Sequence, residues 1–567
     1  MKEIVYKYAL KNAFDFKTTN LNPNVILGFV LKENPDLRSK VPQLRSEIEK
    51  AALEISKLKL EEIEKKLKQL APQLTKAEKV EVQEGPLKPL EGAKKGHFVV
   101  RIAPSPSGLL HIGHTYGTSL NYEYAKMYEG KLLLRIEDTN PENIYTPAYE
   151  LIPDDANWLT NNGISQVIVQ SSRLGIYYDY AEKLVQLGKA YVCTCPEDDW
   201  REMKKKAQEC ICRKLSVKEN ALRYAKMFNE YAEGEAVLRL KTDMQDKNPA
   251  MRDFPIMRIV EHVHPKTGKA QRVWPLMVFS VAVDDHDLGV THVLNGKEHA
   301  DNATKEKIIM EDLGWEPPFY RHWGRINFED FAISKSKTKI AIEEGQFSGW
   351  DDIRLPFLRA LRRRGYQSQA FRRFALEIGL SLNDKTVSVE EFWKNVNAFN
   401  KEIVDPQANR YFFVDNPLKI TIKGAPEKKV QLDLHPSFPQ RGKRILHTEK
   451  EFYLAKSDFI RLGEGYVHRL MDCCNFELRG EEFHYVSENY EDYKNAQNRG
   501  QIIHWLPVSK NNLKVEVLSE KGVIISGLGE ENMKNLKERE TVQLERRYFA
   551  TLDKIEKNKL IFWYLHK

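Results

Sequence analysis

The sequence predicts an α/β protein: a doubly wound parallel sheet interrupted by an insertion, with a helical N-terminal appendage before it and C-terminal β-barrels after it. Three observations carry this. The apolar run Phe98-Val99-Val100-Arg101-Ile102-Ala103 gives way to the Pro- and Gly-bearing loop Pro104 to Leu110, and His111-Ile112-Gly113-His114 then opens a helical stretch. A second apolar run, Lys131 to Ile136, completes a strand–helix–strand unit. Past Arg410, short apolar runs punctuated by Pro, Gly and Asn take over, the pattern of barrels or sandwiches.

At 567 residues the chain exceeds a single core, and several domains are expected. Residues 1–95 read as a helical appendage: Ile48, Ala52, Ile55, Leu60, Ile63, Leu67 and Leu70 recur at helical spacing amid Glu and Lys, as in a packing or partner helix. The Pro- and Gly-rich stretch from Gly85 to Gly96 then reads as a linker. Residues 96–190 hold the first half of the nucleotide-binding sheet, with Glu137 and Asp138 at its edge. Residues 191–270, with cysteines and a Lys-rich helical segment, are an insertion. Strand-like Val273 to Phe279 and Gly289 to Leu294 place the second half of the sheet in residues 271–345. A helical stretch over 346–410 and barrels over 411–567 complete the chain.

With 41% hydrophobic and 30% charged residues the composition is that of a globular protein. The longest apolar-rich run, Val273 to Val283, is too short to span a bilayer and the first residues lack a signal-like core, so a cytoplasmic protein without a membrane partner is expected. Net charge is +7, and Arg354, Arg359, Arg362, Arg363, Arg364, Arg372 and Arg373 alone match it, with no acid among them. This run reads as a docking face for a polyanion.

Two imidazoles three positions apart at a helix start can donate to charge accumulating on a phosphate, and Gly113 lets a flat ring approach the backbone. Phe331 to Lys339 is a small-residue loop with closely spaced lysines and serines, suited to following a phosphate through a reaction. Cys193 and Cys195 with Cys210 and Cys212 supply four soft ligands in one local unit, which suits structural zinc; Cys473 and Cys474 read as core.

Together, Arg101 to Gly108 with His111-Ile112-Gly113-His114, Arg135-Ile136-Glu137-Asp138-Thr139, Val283-Asp284-Asp285-His286, Gly289 to Leu294 and Ile333-Ser334-Lys335-Ser336 resemble the archaeal-type glutamyl-tRNA synthetases, from about residue 97 to the end. The resemblance implies a Rossmann-like class I synthetase catalytic domain whose insertion binds the acceptor stem and carries a zinc knuckle, and barrels that read the anticodon. It implies two steps: glutamate and ATP give glutamyl-adenylate, then the glutamyl group passes to tRNA. His111, His114 and Lys335 become the catalytic residues. Pro104, Ser105, Pro106, Gly108, Gly113, Ile333 and Ser334 join them around ATP and its magnesium ion. Arg101, Ser105, Glu137, Met277 and Asn295 line the glutamate site, Arg101 as a bidentate partner of a substrate carboxylate and Glu137 as partner of the α-ammonium. Two positions depart from the family, Asn295 replacing a second arginine and Met277 a tyrosine; the first lysine of the signature loop, often another residue in relatives, is Ala332 here. The expected partners are tRNA(Glu), with tRNA(Gln) open as a second acceptor, and for the N-terminal helices another protein; the chain is expected to be a monomer. A glutaminyl-tRNA synthetase and a non-catalytic tRNA-binding paralogue stand as alternatives.

Overall fold

The structure is a computed structural model that describes the chain except residues 1, 16–17, 20, 22, 35–36, 38–39, 72–86, 325, 330–334 and 558. It divides into two compact units, Met1–Gly85 and Pro86–Lys567. The described part of the first contains helices α1 (Lys2–Asp15), α2 (Pro23–Glu33), α3 (Val41–Ile55) and α4 (Leu60–Leu70), packed around Val5, Ile26, Leu44, Ile48, Ile63 and Leu67. The apolar stripe read from Leu44 to Leu70 is thus broken by a turn. Its second helix starts where the Glu62 carboxylate accepts from the Lys59 amide at 2.8 Å, and Leu60 and Leu70 face solvent.

In the second unit, β1 (Val99–Ile102), α5 (Ile112–Met127), β2 (Lys131–Ile136), α6 (Ala148–Leu159) and β3 (Ile164–Val169) form a parallel sheet in the order β1-β2-β3. Leu132, Leu134 and Ile136 on one face and Leu133 and Arg135 on the other are all buried, as in a strand covered on both faces. The body reaches back before the expected boundary at 95: Tyr124 donates to the Lys88 carbonyl at 3.1 Å and the Leu90 amide to Tyr128 at 2.8 Å. After α7 (Leu174–Gln186) the chain enters the insertion. There β4 (Ala190–Cys193), α8 (Glu197–Lys205), α9 (Val217–Met227), β5 (Val237–Leu240), β6 (Pro255–Ile259) and β7 (Val273–Pro275) follow in turn, the strands forming an antiparallel sheet in that order.

Here one expectation is corrected. The run from Val273 to Phe279 is not a strand of the nucleotide sheet; its first three residues are the edge strand β7 of the insertion sheet, where a proline is tolerated, and α10 (Met277–Asp287) follows. Val278, Phe279, Val281, Ala282 and Val283 are all buried, and a helix apolar on every side has the same local pattern as a buried strand. The second half of the sheet is the parallel pair β8 (His292–Gly296) and β9 (Phe319–Trp323), linked by α11 (Ala300–Asp312). The Thr291 amide donates to the Val99 carbonyl at 3.0 Å, which sets this half alongside β1. The chain leaves β1 toward β2 on one side while β8 arrives on the other, so a crevice opens at their carboxyl ends.

β10 (Ile326–Glu329), α12 (Lys335–Glu343), α13 (Leu358–Arg364), α14 (Ser368–Ile378), β11 (Lys385–Ser388) and α15 (Val389–Val404) lead to the C-terminal region, where two seven-stranded sheets form. Its first segments, Arg410–Tyr411 and Phe413–Asp415, pair with Gln543–Leu544 and Gly527–Gly529, so the start of this region closes the sheet that its end completes. Among the described residues no helix is long and apolar enough to cross a membrane.

The arginine run is a seam rather than a free basic face. Arg354 pairs with Asp352, Arg359 and Arg362 with Asp154, and Arg373 with Glu402. Arg364 and Arg372 donate to the carbonyls of Leu565 and Leu159. Arg363 grips Asp553 with two bonds of 2.7 Å, bonds Asp351 at 2.8 Å and lies over Trp563. The acids missing from the run itself come from Asp351 and Asp352 just before it and from distant segments at Asp154, Glu402 and Asp553. Arg363→Ala removes both close bonds of the nearly buried Asp553 carboxylate, which keeps only the longer approach of Arg539 at 3.8 Å among its charged partners in the described residues, and is expected to lower local stability by about 1–3 kcal/mol. Hydrogen exchange over Tyr548–Glu556 should accelerate while that over Val99–Ile102 stays constant; identical exchange in the variant would refute the seam.

Candidate active site at the ends of β1 and β8

His111 caps α5 in extended conformation, and its Nδ1 accepts from the Gly113 amide at 3.1 Å. The His114 Nδ1 accepts from the His111 amide, also at 3.1 Å, and the two ring centroids are 4.0 Å apart. With both Nδ1 atoms accepting, each neutral ring carries its proton on Nε2. Burial, reinforced by Lys335, drives His111 down to about 3; burial, His111 and Lys335 hold His114 well below the usual imidazole range. Both rings are therefore neutral donors at pH 7. A second segment clamps the turn: the Ile112 amide donates to the Pro356 carbonyl at 3.1 Å and the Leu358 amide to Leu110 at 3.0 Å.

Lys335 opens α12, and its stem lies across the loop after β1: a Cβ at Gly108 would sit 3.0 Å from the Lys335 Cβ. Any larger residue there would crowd the lysine stem and push it back by a few tenths of an ångström. Burial pushes the Lys335 amine down to about 8. The sequence-predicted Pro104, Ser105, Gly113, His114, Lys335, Arg101, Glu137, Met277 and Asn295 all line one cavity of about 620 Å³. Pro106, Gly108 and His111 adjoin these lining residues in the chain; the Pro106 carbonyl accepts from the Tyr145 amide at 2.8 Å. Ile333 and Ser334 lie outside the described residues.

Arg101 is partly engaged within the protein: its Nε and Nη2 bond both oxygens of Asp285 at 3.1 and 3.0 Å, an arrangement that does not use the second, Nη1–Nη2 edge of the guanidinium. Arg135 donates to Asp285 at 2.6 Å and to Glu137 at 3.1 Å. Asp284, the neighbour of Asp285, is held by Gln170, Arg173 and Tyr177 at 2.8 to 2.9 Å. Burial works against ionisation of Asp285, yet Arg101 and Arg135 keep it below the usual carboxylate range. Burial raises Glu137 despite the same two arginines. Asp138 is a structural anchor, accepting from the Ser171 amide, Ser171 Oγ and Tyr149 within 2.7 Å.

Sequence reasoning missed Arg135 and Asp285 as the frame of the site, and Glu306, a cavity-lining acid that burial pushes up to about 7 and that accepts from Tyr320 at 3.1 Å. A signal existed for the first two: each is a charge embedded in an apolar run, Leu132 to Ile136 and Val278 to Asp285, where a buried partner is obligatory. Asn295 Oδ1 accepts from His322 Nδ1 at 2.7 Å.

In the insertion, the Sγ atoms of Cys193, Cys195, Cys210 and Cys212 all lie within 4.8 Å of one another, with Cys193–Cys210 and Cys195–Cys212 at 3.9 Å. Four thiolates about 2.3 Å from a tetrahedral zinc would be spaced about 3.8 Å apart, so the cluster fits that ion.

Residues 97–406 match the family model of the class I (E and Q) tRNA synthetase catalytic domain, and residues 408–498 and 502–553 match its two anti-codon binding domain models. The chain belongs to the class I tRNA synthetases of the E and Q group. This synthetase is 42% identical to the glutamate–tRNA ligase of Methanobrevibacter smithii and 43% identical to that of Pyrococcus furiosus, over all of both chains in each case. The Thermococcus kodakarensis glutamate–tRNA ligase is 41% identical over the same full span. As an aminoacyl-tRNA synthetase it uses an ATP site, and the helix cap of neutral imidazoles beside Lys335 is suited to it.

Because Lys335 titrates near 8, it loses its positive charge as pH rises through that value, whereas solvent-exposed lysines keep theirs to about 10.4. Acetylation of the free enzyme by acetic anhydride, followed residue by residue by mass spectrometry, should show Lys335 half-reactive near pH 8. A midpoint shared with the exposed lysines would refute the burial argument.

Proposed function

We propose that this synthetase activates glutamate with ATP and joins it to tRNA(Glu). The observation that carries the reading is that phosphate-directed groups, His114 and Lys335, and amino-acid-directed groups, Arg101 and Glu137, open onto one cavity of about 620 Å³, room for both substrates side by side. The glutamate α-carboxylate attacks the α-phosphorus of ATP, the bond to the bridging oxygen breaks, and pyrophosphate leaves. The Nε2–H groups of His111 and His114 donate to the phosphate oxygens without bringing full charges, and Lys335 supplies the mobile cation. Magnesium bound with ATP would supply further neutralisation of its phosphates. A ribose hydroxyl of the terminal tRNA adenosine then attacks the acyl carbon and AMP departs. Glu137 attracts the α-ammonium, and the Nη1 end of Arg101 remains for the side-chain carboxylate.

Cys193, Cys195, Cys210 and Cys212 hold structural zinc, which fixes the insertion for acceptor-stem contact while the C-terminal sheets meet the anticodon. The enzyme works as a cytoplasmic monomer, with the N-terminal helices free to engage another protein. A second reading, glutaminyl-tRNA synthetase, is favoured by one observation, the neutral Asn295 carboxamide in the cavity. Parallel charging of tRNA(Glu) and tRNA(Gln) with labelled glutamate and glutamine decides between them and reveals whether tRNA(Gln) is a second acceptor. Glutamine charging without glutamate charging would overturn the proposal.

Lys335→Ala is expected to cut glutamate-dependent pyrophosphate exchange more than 100-fold, about 3 kcal/mol, with tRNA affinity unchanged. Near-normal exchange would remove its role, and absence of any exchange in the unmodified enzyme with tRNA present would point to the non-catalytic paralogue. Elemental analysis should find one zinc per chain, lost in Cys212→Ser; a far lower content in the unmodified chain would remove the metal.

A further inference from the structure

The insertion buries a positive charge that no carboxylate matches. In the antiparallel pair β4 and β5, Tyr191 stands opposite Arg239 and Cys193 opposite Val237. Side chains alternate along a strand, so Val192, Leu238 and Leu240 point into the apolar core while Tyr191, Cys193 and Arg239 share the face that carries the sulfur cluster. Arg239 is only 7% exposed, its guanidinium lies 4.1 Å from the centre of the Trp200 ring, and its Nε is buried without a hydrogen-bond partner. Among the described residues it forms no ion pair with a carboxylate, and its Nη1 reaches the Asp253 carbonyl at 3.5 Å. The Asp253 carboxylate is taken by Tyr191, Arg213 and the Thr242 amide, at 2.7 to 2.9 Å. What Arg239 does meet is the Cys193 sulfur.

A buried guanidinium without an anion is costly, so its surroundings have to supply one. Neutral thiols would not, and neither would two disulfides. Four thiolates on a divalent ion would, because together they leave two negative charges in excess. A second arginine reaches the other pair of cysteines. Arg223 on α9 directs its Nη1 at Cys212 Sγ, 3.6 Å away, and at Thr194 Oγ1, 3.3 Å away, while its Nε pairs with Glu219 at 3.7 Å. We propose that Arg239 and Arg223 are the counter-ions of a tetrathiolate metal centre: set at Cys193 and at Cys212, they offset the excess charge of the cluster and so determine how tightly it holds its ion. The inference rests on the proposed zinc reading and deepens it. The two arginines differ in strength. Arg239 is buried and stacked on Trp200, which fixes its plane and leaves its whole charge to the cluster. Arg223 is partly exposed and shares its charge with Glu219.

The test uses the full-length protein with zinc bound, and the same protein with cobalt(II) exchanged for the zinc. Competition with a chromophoric chelator reads zinc affinity, and the sulfur-to-cobalt charge-transfer band reads the electron density on the thiolates. Arg239→Leu is expected to weaken zinc binding by about 10- to 100-fold and to move that band to longer wavelength, with the visible bands of tetrahedral cobalt retained. Arg239→Lys, which keeps the charge, recovers most of the affinity. Arg223→Gln produces the same changes at smaller size, about threefold in affinity, and it decides the matter if Arg239→Leu fails to fold. Variants that bind zinc as tightly as the unmodified protein, or that bind it less tightly with the band unmoved, overturn this inference and leave the zinc reading intact. An unmodified protein that takes up neither zinc nor cobalt overturns the zinc reading, and this one with it.

Discussion

The catalytic body depends on a dry cluster of charges in which Asp285 on α10 receives Arg101 from β1 and Arg135 from β2, with Glu137 completing the chain. All four are buried or nearly so, and Arg101 lies 184 residues from its partner. Removing ions from water costs several kcal/mol each, so such a cluster persists only when every member is satisfied at once. That condition makes it a lock. The two halves of the nucleotide fold, separated in sequence by the whole insertion, reach one arrangement because only that arrangement closes the charges. Asp284 extends the lock to α7 through Arg173 and Tyr177.

The cost of this lock shapes the end of the cavity proposed for the amino acid. Asp285 occupies one edge of Arg101, and Arg135 takes a share of Glu137, so both residues meet a substrate with part of their bonding capacity already committed. Their positions are correspondingly stiff, since each is held by bonds of 2.6 to 3.1 Å. A preorganised wall of this kind loses little entropy when a substrate docks. The end proposed for the phosphates follows the opposite logic. Its imidazoles are kept neutral by burial and oriented by backbone amides, and charge is delegated to Lys335, whose long stem bends over Gly108. Donors with fixed direction and one mobile cation suit a phosphate that changes geometry as it reacts.

Much of the fold was legible because it is local. A β-branched run stopped by prolines, an imidazole pair at a helix cap and cysteines in two close pairs each announce their conformation within a few residues, and β1, α5, β2 and the sulfur cluster stand where those patterns place them. The helix α10 was not legible, because an apolar run buried on all sides carries no period that separates strand from helix. The Arg354 to Arg373 run misled for a related reason: spacing shows that acids are missing within the run, and Asp154, Glu402 and Asp553 supply them from afar.

The sequence by itself determined the family, the order of strands and helices through the first half-sheet and the identity of many residues that line the central cavity. Only the tertiary structure decided who holds whom: Asp285 on Arg101, His322 on Asn295, Lys335 over Gly108. The reason is physical. Backbone conformation answers to neighbours within a turn or a strand, whereas the partner of a buried charge or amide is whichever group the fold delivers to the same dry space, and no local spacing encodes that delivery.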